Sequence, residues 1–252
     1  VPASADLNSF HPDEMYSLNV TGILEVIDSV SRQEVPPALL LSSSGAVYGE
    51  MPHDLTQIPE GWERPQSTIP LSSAYAEGKI VAEEMLREAT RKGKCLGLIA
   101  RLFAFSGVHL PLDRHFAIGN FVRDAVMNQR ITIRGTGSPV RSYMDGKDMA
   151  QWLLRIVESG SPDHTYHVGS ERAISIRDLA ALVAHRYEML SHTSVNIEVL
   201  DKTSLIDGVS RYVPSTQFTR THLKVEETVS LEHSIDQMIR SAMKSLRSTT
   251  SD

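Results

Sequence analysis

The sequence predicts an α/β fold: part of a doubly wound parallel sheet, interrupted and followed by a smaller α+β domain. Three observations carry that prediction. The first hundred residues alternate helix, strand, helix, strand, with connections long enough for parallel pairing. Both strand candidates, "PALLLSSS" and "CLGLIARLFAF", contain continuous apolar runs, as strands covered on both faces do. The later half turns to short strands around a Gly-rich turn, separated by amphipathic helices.

The elements follow in order. "HPDEMYSLNVTGILEVIDSVSR" puts Met15, Leu18, Ile23, Val26, Ile27 and Val30 at helical spacing, which predicts a helix over His11–Arg32. "PALLLSSS" predicts a buried strand whose carboxyl end carries the hydroxyls of Ser42, Ser43 and Ser44. A polar, Pro-containing loop from Glu50 to Ser73 comes next, long enough to cover a site at the strand ends. "AYAEGKIVAEEMLREATRKG" is a helix with its basic residues in the last turn, stopped by Gly93. "CLGLIARLFAF" is the second strand. Beyond it, "GNFVRDAVMNQR" is a short helix and "ITIRGTGSPVRSYMDG" a strand with its turn. "KDMAQWLLRIVESG" is a helix, "HTYHVGS" a strand, and "SIRDLAALVAHRYEML" a helix with Ser175 as N-cap. "VNIEVL" is a strand, "SLEHSIDQMIRSAMKSL" a closing helix, and "RSTTSD" a frayed tail.

Composition narrows the function classes. The 252 residues are 41% hydrophobic and 22% charged, an ordinary globular balance. A formal charge of −6 argues against a nucleic-acid binder. An anionic ligand must then be held by local arginines or helix N-termini. Cys95 is the single cysteine, so no internal disulfide forms, and a reducing, cytoplasmic setting is expected. Cys95 itself reads as a small buried hydrophobe. No apolar stretch reaches membrane-spanning length and no basic-then-apolar leader opens the chain, so no membrane association is expected. His115, His164, His167 and His185 are scattered, without metal-type spacing, and no metal is expected.

The chemistry concentrates in "SSAYAEGKIVAEEML". Positions i and i+4 share a helix face, so Tyr75 and Lys79 point the same way. An ammonium near a phenol favours the phenolate, and a phenol so tuned exchanges a proton with an alcohol near neutral pH. A Tyr-x-x-x-Lys arises by chance in roughly one such chain in five, so the pair needs context. Ser42–Ser44 supply it, because ligands of open α/β sheets bind at the carboxyl ends of the strands.

At this point the chain resembles the extended short-chain dehydrogenase/reductases, the NAD-dependent sugar-nucleotide epimerases and dehydratases. "NVTG" from Asn19 is similar to the family's helix motif after the fourth strand. "LLLSSSGAVYG" resembles its Ser-Ser-x-x-x-Tyr-Gly motif, and "YAEGK" its Tyr-x-x-x-Lys. "RLFAFSG", "GNF", "IRGTGSPVRSYMDGKDMA", "YHVGS" and "SRYVPS" resemble further family motifs in order. The resemblance implies a partial Rossmann-like sheet with a smaller α+β substrate domain. Residues 1–107 and 146–170 would be the remainder of the dinucleotide-binding domain, and 108–145 with 171–252 the sugar-nucleotide domain. It implies Ser44, Tyr75 and Lys79 as catalytic residues, and Ser42, Tyr75 and Lys79 as contacts to NAD, with NADP as the alternative. It implies Asn120, Arg141 and Arg211 as holders of the nucleotide diphosphate, for which the planar guanidinium fork is suited. It also implies a homodimer through the helices at His11–Arg32 and Ala74–Arg91.

The departures are as informative. The family's Gly-x-x-Gly-x-x-Gly turn, which holds the cofactor pyrophosphate, is not in this sequence. Roughly the first third of a family member has no counterpart here. Either this chain is a piece of a longer enzyme, or it is a truncated product without redox activity of its own. On its own it is expected to bind the cofactor poorly and to expose a flat apolar sheet edge. Gly45 and Ala46 stand where family 4,6-dehydratases carry Asp-Glu, and where decarboxylating relatives carry Glu. That argues against sugar dehydration and leaves 4-epimerisation or reduction of a 4-keto sugar as the expected activity. Ala104 replaces the Asn of the Phe-Asn motif and His167 the Asn of Tyr-Asn-x-Gly. A non-catalytic binding relative is the other class that fits the missing turn.

Overall fold

The computed structural model describes residues 5–52, 54–63, 73–114, 116–201 and 209–249. The chain divides into two compact units. The first is Val1–Phe103, Gln151–Val168 and Pro214–Val225; the second is Ala104–Ala150, Gly169–Val213 and Glu226–Asp252. In chain order, helices α1 (Ala5–Phe10) and α2 (Pro12–Val30) lead into strand β1 (Ala38–Ser44) and a 3-10 turn at Gly45–Tyr48. Helix α3 (Ala74–Arg91) and strand β2 (Leu96–Leu102) follow. Next come β3 (Phe105–Ser106), α4 (Ala117–Asn128), β4 (Arg130–Ile133), β5 (Val140–Arg141), β6 (Met144–Asp145) and α5 (Gly146–Ser159). The chain continues through β7 (Thr165–Val168), β8 (Ile174–Ser175), α6 (Ile176–Ser191), β9 (Asn196–Val199) and β10 (Arg211–Tyr212). It closes with α7 (Gln217–Leu223) and α8 (Leu231–Thr249).

The first unit is built on a parallel sheet ordered β1-β2-β7. Its register sets Leu41 beside Ile99, Ser43 beside Arg101 and Ser44 beside Leu102. Leu102 in turn lies beside Val168. Helix α3 packs on β1, β2 and α2. Ile23 and Ile27 of α2, Ala82, Leu86 and Ala89 of α3, and Cys95 and Ile99 form that core. Each large aliphatic side chain buried there contributes about 1.5–3 kcal/mol. Helix α3 starts at Ser73, whose hydroxyl accepts the Ala76 N–H at 3.2 Å. It stops as the sequence predicts: Gly93 adopts φ 69° and its N–H returns to the Thr90 carbonyl at 2.9 Å. β1 has β2 as its one strand neighbour among the described residues, with Leu39–Leu41 half-buried, the apolar edge the sequence reading expects.

The second unit packs α4, α6 and α8 together and against β4, around Ile118, Phe121, Ile131, Leu179, Val183 and Ile235. β4 pairs with β9, β3 with β6, and β5 lies between β10 and β8. Ser175 caps α6, accepting the Asp178 N–H at 2.9 Å.

Several expectations change. "CLGLIARLFAF" is not one strand. β2 ends at Leu102, once its pairing with β1 and β7 is complete, and Phe105–Ser106 pair with Met144–Asp145 in the second unit. α1, the 3-10 turn, α7 and the two-residue strands were not expected from periodicity, being shorter than the window that reveals it. Pro214–Val225 belongs to the first unit, where the sequence reading put all of 171–252 in the second. Ile58 bridges Pro214 and accepts the Ser215 N–H at 2.8 Å, and α7 packs on β7. The expected fraying at Arg247 does not occur. The helix runs to Thr249, and 250–252 lie outside the described residues. So do 53 and 64–72 of the loop expected to cover the site, and His115. Among the described residues no helix is long and apolar enough to cross a membrane.

Candidate active site

The site in the first unit forms where β1 ends and α3 begins. β1 delivers Ser42, Ser43 and Ser44 in sequence, and the parallel register brings α3 back across its carboxyl end. The Ser44 hydroxyl accepts the Ala46 N–H at 3.1 Å and hydrogen-bonds the Tyr75 phenol. The Lys79 ammonium lies over the Tyr75 ring, 5.6 Å from its centroid, and donates to the Ser42 carbonyl at 2.9 Å. Ser42 therefore meets Lys79 through its backbone, while its own residue surface is exposed. Asn8 of α1 accepts the Tyr75 N–H at 3.0 Å, fixing the first turn of α3.

The electrostatics correct one expectation. Burial raises the Tyr75 phenol above its ordinary value, opposed by the Ser44 hydrogen bond. Burial likewise lowers the Lys79 ammonium, opposed by the Glu83 carboxylate. Lys79 thus does not pull the phenol down in this arrangement. Desolvation of the phenolate outweighs the Ser44 hydrogen bond, and the phenol rises.

A buried polar chain lies behind these residues, and sequence reasoning missed it. Glu83 is 1% exposed. It accepts from Ser43 Oγ at 2.5 Å, from Arg101 Nε and Nη2 at 2.9 and 2.7 Å, and from Arg87 Nη2 at 3.1 Å. Burial alone would raise its carboxyl, but these donors win and hold it below its usual value. Arg101 Nη1 donates to the Tyr48 hydroxyl at 2.7 Å. Tyr48 Oη lies 2.5 Å from His167 Nε2, and His167 Nδ1 lies 2.8 Å from the Ser215 carbonyl. A carbonyl can only accept, so Nδ1 carries the proton, Nε2 accepts, and Tyr48 donates to it. Burial pushes His167 down to about 4, so it is neutral at physiological pH. The signal was present in the sequence: Glu83 lies one turn past Lys79 on the buried face, and Arg101 interrupts an apolar strand.

In the second unit, a cleft of about 970 Å³ is lined by Asn120 on α4, Arg130 and Arg134 around β4, Gly135 and Gly137 of the turn, and Arg141 on β5. Arg141 donates to the Val140 and Ser210 carbonyls at 2.8 and 3.1 Å. No carboxylate pairs with it among the described residues. Burial lowers it, against the pull of Tyr143 and Tyr212. A half-buried guanidinium with only neutral acceptors is suited to an anion. Asn120 and Arg141 thus share one cleft. Arg211 does not line it; β10 sets Arg211 beside Val140 and Tyr212 beside Arg141.

Comparison with known proteins agrees with the fold. Over 239 residues the chain is 27% identical to UDP-glucuronic acid decarboxylase 2 of Arabidopsis thaliana, covering 95% of this chain and 51% of that protein. It is 25% identical to UDP-glucuronic acid decarboxylase 1 of Xenopus tropicalis, covering 97% and 56%. The chain therefore spans about half the length of these relatives. Among solved structures, UDP-glucose 4-epimerase of Thermotoga maritima matches with a TM-score of 0.83 at 19% identity, over 98% of this chain and 76% of that one. RMD of Pseudomonas aeruginosa, complexed with NADPH, matches with a TM-score of 0.79 at 19% identity, over 97% and 80%. Residues 3–169 match the model of the NAD dependent epimerase/dehydratase family. With its parallel sheet and its serine–tyrosine–lysine group at the strand ends, the chain belongs to the NAD dependent epimerase/dehydratase family.

Proposed function

We propose that the intact enzyme oxidises and re-reduces C4 of a nucleotide-diphosphate sugar, as a 4-epimerase using NAD or NADP. The observation that carries this reading is the meeting of Ser44 and Tyr75 hydroxyls at the end of β1, with the Lys79 ammonium against the Tyr75 ring. Tyr75 exchanges the proton of the sugar 4-hydroxyl, and Ser44 hydrogen-bonds the same oxygen as charge develops on it. Asn120 and Arg141 hold the diphosphate, and Arg211 is the further arginine available to it.

The residues present fit the nicotinamide-ribose end of the cofactor. Lys79 spends one donor on Ser42, leaving two for hydroxyls, and Ser42 is exposed at the strand end. Lys79 and the exposed end of β1 at Ser42 would hold the nicotinamide-ribose end, and the bound cofactor would supply reversible hydride acceptance. The pyrophosphate end needs a Gly-rich turn that this sequence does not contain.

A second reading has its own support. The raised Tyr75 phenol holds its proton at neutral pH, which suits donation to a 4-keto oxygen and hence a 4-ketoreductase. The kinship with decarboxylases keeps a dehydratase-type reaction in view, although Gly45 and Ala46 offer no acid or base. A truncated, non-catalytic binding relative would keep Arg141 and lose turnover. Pairing of two copies through α2 and α3 is supported by Leu18, Leu24 and Val26, each more than 40% exposed on α2. A cytoplasmic setting rests on the single, buried Cys95.

The test is product analysis on the protein with any residues encoded ahead of Val1, offered UDP-sugars and their 4-keto forms. Interconversion of 4-epimers supports the first reading, one-way reduction the second, and loss of carbon dioxide the decarboxylase. Turnover undiminished in Tyr75→Phe overturns the scheme.

A further inference from the structure

The mechanism leaves Glu83 unused, yet its buried carboxylate accepts four hydrogen bonds, from Ser43, Arg101 and Arg87. Helix α3 carries Tyr75, Lys79 and Glu83 at four-residue steps, so all three lie along one face. Two of them grip β1 directly: Lys79 donates to the Ser42 carbonyl at 2.9 Å, and Glu83 accepts from Ser43 Oγ at 2.5 Å. The gripped residues immediately precede Ser44. An isolated buried carboxylate would be costly, and this one is held by Arg101 and Arg87. Arg101 is itself oriented from behind by Tyr48, which His167 and Ser215 hold in place. Every polar member of the chain has its partner, the condition under which a buried network fixes geometry rather than weakening it.

We propose that Glu83 is a positioning residue: by clamping Ser43 it sets the Ser44 hydroxyl against the Tyr75 phenol. Arg101, Tyr48 and His167 act through Glu83, as the frame that holds its carboxylate. This rests on the reading of Ser44, Tyr75 and Lys79 given above and assigns no substrate contact to Glu83. Pure structural support would hold β1 on α3 equally well with an apolar pair. What the network adds is a fixed charge one turn from Lys79 and a fixed hydroxyl one residue from Ser44.

The test reads Tyr75 directly and needs no turnover. The ionisation of Tyr75 is obtained as the near-ultraviolet titration difference between the chain and its Tyr75→Phe variant. It is then repeated in Glu83→Gln and in Ser43→Ala backgrounds, each with its own Tyr75→Phe partner. The clamp predicts that the Tyr75 midpoint rises in both, by about half a unit or more, a roughly 3-fold weaker ionisation. Simple removal of a neighbouring negative charge in Glu83→Gln predicts the opposite, a fall. A midpoint that stays put or falls in Ser43→Ala overturns the proposal, and Ser43→Ala decides it should Glu83→Gln not fold. Failure of the functional reading shows elsewhere: the midpoint rises as predicted, while Tyr75→Phe leaves sugar turnover intact.

Discussion

The Lys79 ammonium lies 5.6 Å from the centroid of the Tyr75 ring and donates a hydrogen bond to the Ser42 carbonyl. The one group that lowers the phenol is Ser44. Removing that hydroxyl in Ser44→Ala should therefore raise the Tyr75 midpoint further, because burial then acts unopposed. In the intact enzyme the same change should lower kcat about 100-fold or more, the usual cost of losing a donor to developing charge. Titration against a Tyr75→Phe reference and steady-state kinetics check the two halves separately.

His167 gives the fold a pH dependence of known sign. Its folded value of about 4 lies below the ordinary value of 6.5, so the unfolded chain binds more protons between them. The stability it contributes is fully present above about pH 6.5 and is lost as pH falls toward 4. The linkage amounts to about 3 kcal/mol over that window. His167→Gln, which cannot charge, should flatten the fall in chemical-denaturation midpoint between pH 7 and pH 4.

Glu60 ties its loop to the start of α7. It accepts the N–H of Phe218 at 2.6 Å, of Thr219 at 3.1 Å and of His167 at 3.3 Å, together with the Thr219 hydroxyl. Thr216 at the helix N-cap makes no side-chain cap bond, so Glu60 does that work from a distance in sequence. Glu60→Ala should cost about 1–3 kcal/mol by leaving these donors unpaired. Hydrogen exchange should accelerate at Phe218 and Thr219 ahead of the rest of the unit.

Gly97 admits the close approach of α3 to β2. A Cβ there would come within 2.3 Å of Thr90 Oγ1 and 2.7 Å of Leu86 Cγ, and Leu86 is fully buried. It would also disturb the Thr90 hydroxyl, which accepts the Gly97 N–H at 3.0 Å and donates to the Leu86 carbonyl at 2.9 Å. Gly97→Ala should destabilise the fold by about 1–3 kcal/mol, read as a lower denaturation midpoint with unchanged slope.

What the sequence determined by itself is local and periodic. Apolar spacing is enough to place α2, β1, α3 and α6, because a helix face or a doubly buried strand must be written into consecutive residues. Side-chain and backbone chemistry of the caps sets the stop of α3 at Gly93 and the start of α6 at Ser175. The ordered motifs likewise single out Ser44, Tyr75 and Lys79, whose spacing is short enough for one strand end and one helix face to carry. Only the tertiary structure decided the rest. That Glu83 pairs with Arg101, that Tyr48 meets His167 across 119 positions of sequence, and that Glu60 caps α7 depend on contacts between distant segments. No periodicity encodes such partners. A buried charge or hydroxyl must find whatever complement the fold brings within reach, and which one it finds is settled by packing. The same reason governs the phenol of Tyr75. Its motif announces a tuned acid–base group, but the direction of its shift follows from how deeply the fold buries it.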